Sequence, residues 1–127
     1  MSDTVDLPEN PYNDFVQAHY QHPRNLGKLP DATHVGRVLR GDTMLEFHLR
    51  VDGHLIEAAR FRAIGCAGTV AAGSAMSEWL TGRPLDEAAR LTAGEVLAVL
   101  GGLPPERLYC ADLAAEAIHL TVRQPPA

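Results

Sequence analysis

Two cysteines, Cys66 and Cys110, are the residues of this chain best suited to chemistry, and each stands at or just before a stretch with helical periodicity. A thiol at a helix N-terminus faces unpaired backbone N–H groups and the positive end of the helix dipole. Both favour the thiolate, the form that attacks electrophiles and binds metals. The competing role for either cysteine is that of a small buried hydrophobe. Asp42, in a turn between two predicted strands, is the nearest oxygen partner in the pattern, unless it only bonds its own turn backbone. The histidines offer less. His48 falls on the outward face of a strand and His119 on the polar face of the last helix, which predicts solvated rings. His19 and His22 share an i, i+3 spacing, but Pro23 frays that end, so surface or capping roles are expected there rather than metal binding. Met76 and Trp79 fall at core spacing. No Ser/His/Asp set, phosphate-cradling loop or pair of acid/base carboxylates is visible, so the chain does not read as an enzyme.

Positioning the two thiols requires a particular order of elements. Pro11 opens a helix over Tyr12 to Tyr20 at the position where its missing N–H costs nothing, and Pro23 ends it. Asn25 to Asp31 reads as a loop. Val35 to Leu39 forms a strand candidate. From Thr43 to Val51 the side chains alternate, with Leu45, Phe47, Leu49 and Val51 on one face and Glu46, His48 and Arg50 on the other. Asp52-Gly53 predicts a type I′ turn into a partner strand ending at Ile64, with Ala59, Phe61 and Ala63 inward and Arg60 and Arg62 outward. A helix follows from about Thr69 to Leu80, its small residues Ala71 to Ala75 allowing close approach by another element. Thr92 and Glu95 form a capping-box signature for a helix through Leu100. Leu103-Pro104-Pro105 is a stiff connector. The last helix, Cys110 to about Arg123, places Leu113, Ala114, Ala117, Ile118, Thr121 and Val122 on one face. The expected fold is α+β, a small antiparallel sheet of about three strands packed against several helices.

The 127 residues suit one domain, assigned to 10–124, with tails at 1–9 and 125–127. Hydrophobic content of 46% and charged content of 21% match a soluble globular protein. A net charge of −5 argues against a nucleic-acid partner, because phosphate binding requires clustered basic residues. No apolar run approaches a membrane span, and the polar, acidic start shows neither signal peptide nor targeting helix. Two cysteines are too few for a disulfide scaffold, and a cytoplasmic location is expected, where paired cysteines are more often chemical than structural.

Beyond these elements, several ordered motifs carry a resemblance. Tyr12-Asn13-Asp14, His19-Tyr20, Pro23-Arg24-Asn25 and Gly27 resemble the N-terminal signature of the IscU/SufU/NifU-type iron–sulfur cluster assembly scaffolds. Arg40-Gly41-Asp42, Gly65-Cys66-Ala67-Gly68, Ser77-Glu78-Trp79 with Gly82, Leu103-Pro104-Pro105 and Cys110 to Ile118 continue it, in the same order, across residues 12 to 123. The resemblance implies a site of three cysteines and an aspartate that holds a transient iron–sulfur cluster, or zinc, and takes sulfur from a cysteine desulfurase or works with other assembly factors. By position, the second and third cysteines are Cys66 and Cys110 and the aspartate is Asp42. Both cysteines are then candidate sulfur acceptors.

Two substitutions fall on the site that this resemblance implies. Arg40 stands where the first cysteine is expected, and a guanidinium has no lone pair to give a metal. Tyr109 stands where a histidine is usual, and its phenol ionises near 10 when unperturbed. Asp42, Cys66 and Cys110 remain as a reduced set for iron, zinc or a labile cluster, with a homodimer as one way to complete it. The alternatives are a metal-free interaction module, its pocket plugged by an Arg40–Asp42 salt bridge, and a persulfide relay through Cys110. Glu106-Arg107 after the prolines departs from the chaperone-recognition motif of such scaffolds, so that interaction is not carried over.

Overall fold

A computed structural model describes residues 10–124, and the expected tails at 1–9 and 125–127 lie outside them. The alternating segment becomes the central strand of a three-stranded antiparallel sheet, with β1 at His34–Arg40, β2 at Thr43–Asp52 and β3 at Leu55–Ile64 in that spatial order. Register sets Val38 against Leu45 and Phe47 between Gly36 and Phe61. Leu45, Phe47, Leu49 and Phe61 are completely buried under the helices. Those helices are α1 (Asp14–Gln21), α2 (Ala67–Leu80), α3 (Leu85–Ala89), α4 (Ala93–Leu100) and α5 (Tyr109–Val122), with a single 3₁₀ turn at Pro105–Arg107 leading into α5. The fold is α+β, as expected.

Several local outcomes differ from the sequence pattern. The β2–β3 turn uses Gly53-His54, because Asp52 stays paired to Leu55. Positive φ occurs at Gly53 (62°) and not at His54, which is the type II′ pattern, not I′. The first helix starts at Asp14, since Asn13 is its N-cap and accepts from the Val16 N–H, leaving Pro11 ahead of the helix. The short α3 was not expected.

His48 is a larger correction. It is buried beside Glu46, not solvated, and β2 is buried on both faces from Met44 to Leu49. The cause is the loop after α1. Residues 25–27 bond alongside Phe61 at the outer edge of β3, with Phe61 N–H donating to Asn25 and Gly27 N–H donating to Phe61. The chain then crosses the outer face of the sheet to enter β1, and Arg60 donates to the Lys28 carbonyl on the way. Leu29 N–H donates to His48 Nδ1 at 3.4 Å, so Nε2 carries the proton that His48 gives to Glu46 at 2.8 Å. Burial would raise the Glu46 pKa, but this hydrogen bond and the neighbouring Arg62 hold it below its ordinary value.

On the inner face the helices approach closely. A Cβ on Gly73 of α2 would collide with the Phe61 ring, so the small residues of α2 admit a strand side chain. The predicted inward face of α5 is buried as a unit, and α4 carries the complete Thr92/Glu95 capping box. Asn13 does more than cap α1. Its Nδ2 donates to the Leu100 and Gly102 carbonyls at the C-terminus of α4.

Candidate functional site

Cys66 and Cys110 meet where the N-termini of α2 and α5 converge. Cys66 is the N-cap of α2 and half-buried; Cys110 is the second residue of α5 and fully buried. Their Sγ atoms lie 3.6 Å apart. The Thr69 hydroxyl lies beside both, 3.5 Å from Cys66 Sγ and 3.7 Å from Cys110 Sγ. The exposed Tyr109 hydroxyl is 3.6 Å from Cys66 Sγ. Gly68 leaves the space open, since a Cβ there would stand 3.1 Å from Cys110 Sγ and 3.6 Å from Cys66 Sγ. A cleft of about 420 Å³, lined by Tyr12, Val16, Gln17, Tyr20 and Ala67 among others, ends at the residue after Cys66.

The same contacts polarise the pair. Burial alone would raise the Cys66 pKa, but hydrogen bonds to its sulfur from the Thr69 side chain and backbone N–H, from Tyr109 and from Cys110 bring it down to about 6. Cys110 is pushed up to about 11, first by burial and then by the neighbouring Cys66 sulfur. At neutral pH the arrangement is therefore one thiolate receiving the proton of one thiol. Tyr109 is pushed up to about 12, chiefly because its O–H is engaged by Cys66. That disfavours the phenolate form that a metal would require.

The other expected members of the site are not assembled with the thiols. Asp42 is exposed in the β1–β2 turn. Arg40 pairs with Glu116 of α5 and makes no salt bridge to Asp42, which corrects the plugged-pocket expectation. The side chain of Arg40 reaches along the sheet edge toward the last helix instead of folding back over its own turn. Among the described residues, no group of three or more His, Cys, Asp or Glu side chains is placed to hold a metal ion. The histidines are engaged elsewhere. His19 is buried, 2.7 Å from the Ser74 hydroxyl, and burial lowers its pKa. His119 is half-buried and donates from Nε2 to the Leu91 carbonyl at 2.6 Å, so the surface or capping role expected of His19 and the solvation expected of His119 are both corrected.

Three contributors escaped the sequence pattern: Thr69, Tyr12 and Arg107. Thr69 carried a signal, since a hydroxyl three residues after an N-cap points back at the cap. Tyr12 and Arg107 carried none, because they reach the site only through tertiary packing. A Cβ on Gly68 would touch the Tyr12 ring at 3.5 Å. The Arg107 guanidinium is held in its charged form first by the Tyr12 hydroxyl and then by the Cys66 charge.

The donor set can be compared with what a resident metal needs. Zinc takes four ligands and clusters are held by thiolates, whereas one chain here brings two thiols together. The set does not fit a resident metal centre, and iron or a cluster is treated below as cargo.

These features define a small α+β protein that presents a dithiol between two helix N-termini. The chain belongs to the family of the NifU-like N terminal domain, whose model matches residues 11–126. An iron–sulfur cluster assembly scaffold protein IscU from Azotobacter vinelandii is 39% identical over 119 residues, covering 88% of this chain and 91% of that protein. The scaffold protein IscU 1 from Archaeoglobus fulgidus is 38% identical over 114 residues, covering 87% of this chain and 74% of its own. In fold, the chain is similar to the N-terminal part of a NifU-like protein from Brucella abortus, with a TM-score of 0.70 and 19% identity over 89% of this chain and 92% of that one. Among the described residues no helix is long and apolar enough to cross a membrane.

Proposed function

We propose that this chain serves iron–sulfur cluster assembly as a scaffold-like or carrier protein, handling sulfur, iron, zinc or a labile cluster as cargo at the Cys66–Cys110 pair. The observation that carries this is the convergence of two sequence-distant thiols to 3.6 Å at two helix ends. Relatives with 38–39% identity, named as cluster scaffolds, support the cargo. Its role is to carry and hand on, without turnover chemistry of its own. The partners are a cysteine desulfurase or other assembly factors, met in the cytoplasm, and a second copy of the chain is a source of further ligands.

Of the two sulfur-acceptor candidates, Cys66 is assigned the entry role. It is half-buried, ionised near neutrality and close to the cleft beside α1, while Cys110 is fully buried behind it. A relay that begins at Cys110 would need a donor to pass Cys66 first.

The test is anaerobic purification followed by reconstitution with iron and sulfide, reading absorption and metal per chain. The expected outcome is iron that depends on both thiols and is lost from Cys66→Ser and from Cys110→Ser. Absence of both iron and zinc binding overturns the metal-carrying part. The second reading, a metal-free interaction module, rests on Arg40 standing where a ligand is expected, although Arg40 pairs with Glu116 and does not plug the site. An Arg40→Cys, Tyr109→His double variant separates the two: a cluster held only by the variant assigns the native chain to the module.

A further inference from the structure

Among the described residues no third His, Cys, Asp or Glu completes a metal-binding group with the two thiols, and the two occupy distinct positions. Cys66 Sγ faces the open side of the site, toward the exposed Tyr109 hydroxyl at 3.6 Å. Cys110 Sγ lies behind it with no exposed surface. A sulfur atom added to Cys66 projects outward, leaving Cys66 Sγ itself in contact with Cys110. This is the arrangement of an entering thiol with a resolving thiol at its back.

We propose that Cys110 discharges sulfur from Cys66. Once Cys66 carries a persulfide, Cys110 attacks Cys66 Sγ, closes a Cys66–Cys110 disulfide and expels the outer sulfur as sulfide. This rests on the assignment of Cys66 as the sulfur acceptor. The step balances internally. One Sγ–Sγ bond forms and the Cys66 sulfur–sulfur bond breaks. The sulfane sulfur, supplied by a persulfide or polysulfide donor, gains two electrons and leaves as sulfide. Those electrons come from the two cysteine sulfurs, which become the disulfide. The Cys110 proton leaves with the departing sulfur.

The surrounding groups suit each part of the step. The Thr69 hydroxyl, within 3.5 and 3.7 Å of the two sulfurs, can hand the Cys110 proton toward the Cys66 side. Tyr109 O–H is placed to donate to the leaving sulfur. Gly68 keeps a side chain from crowding the two Sγ atoms from one side. The sulfurs must close by roughly 1.5 Å from 3.6 Å to reach a disulfide bond of about 2.05 Å. A second round requires an external dithiol to reduce the bridge.

The test exposes the reduced full chain, without oxygen, to inorganic tetrasulfide, removes the donor by desalting, and then follows intact mass and free sulfide. The wild-type chain is expected to gain one sulfur on Cys66 and then convert to a form lacking two hydrogens, releasing up to one sulfide per chain. Cys110→Ser and Cys110→Ala, checked for native circular dichroism, are expected to keep the extra sulfur on Cys66 and release none. Two variants guard against one that fails to fold. A wild-type chain that retains its sulfur as the variants do overturns the discharge while leaving sulfur acceptance standing. The same disulfide forming without tetrasulfide also overturns it, since the bridge is then simple oxidation. No sulfur on Cys66 in any of the three chains overturns the acceptor assignment and the discharge with it.

Discussion

At the convergence of α2 and α5, two cysteine sulfurs lie 3.6 Å apart with the Thr69 and Tyr109 hydroxyls beside them. At the β1–β2 turn, where family resemblance places the rest of the site, Asp42 lies exposed and Arg40 has turned away to Glu116. The thiol end is built from buried helix ends with a glycine that clears space. The turn end is built from exposed side chains held by a surface ion pair. The difference teaches that a thiol pair set into packed helix ends is held by its surroundings, whereas a residue beside a surface turn, such as Arg40, can be exchanged at little structural cost.

Alkylation can break that comparison most sharply. At neutral pH, iodoacetamide is expected to modify Cys66 on the order of 100-fold faster than Cys110, because one is thiolate and only half-buried and the other is protonated and fully buried. The rate at Cys66 should titrate with a midpoint near 6, read by peptide mass spectrometry. Equal rates would mean that the two ends of the pair are not polarised.

Stability against pH gives a smaller effect. The folded pKa of Cys66, about 6, lies below its ordinary 9.0, so the unfolded chain binds more proton between them. The Cys66 contribution is therefore fully present above pH 9 and lost as pH falls through 6. Cys110 acts oppositely, since its folded pKa of about 11 is raised, and its contribution is lost as pH rises from about 9 through 11. Denaturant midpoints should climb toward pH 9 and fall beyond it, and Cys66→Ser should flatten the climb. The smallest effect belongs to the turn end. Arg40→Ala removes an exposed ion pair and should cost less than about 1 kcal/mol in chemical unfolding. A larger loss would show that the turn is structurally committed after all.

Much of this was legible along the chain. Alternation from Thr43 to Val51 located the central strand because period two is set by the backbone itself, and the Thr92/Glu95 pair located α4 because capping is local chemistry. The burial of Glu46 and His48 was illegible because what covers them is a loop more than ten residues away in sequence, whose path depends on its bonds to Phe61. The thiol pair was legible as two helix-end cysteines. Their contact, and the shielding of one by the other, were not, since the angle between α2 and α5 is a property of packing. Arg40 was legible as a missing ligand, but its partner was not. A long exposed side chain selects among nearby carboxylates by tertiary geometry, and Glu116 is nearer to hand than the aspartate two residues on.

Asn13 ties the first helix to the end of α4, across 87 residues of sequence. During synthesis α1 leaves the ribosome ahead of α4, so its anchor on the Leu100 and Gly102 carbonyls is made only after α4 has emerged. Tyr12, beside that anchor, also borders the thiols. Completion of the wall around Cys66 thus waits, on the nascent chain, for the arrival of α4.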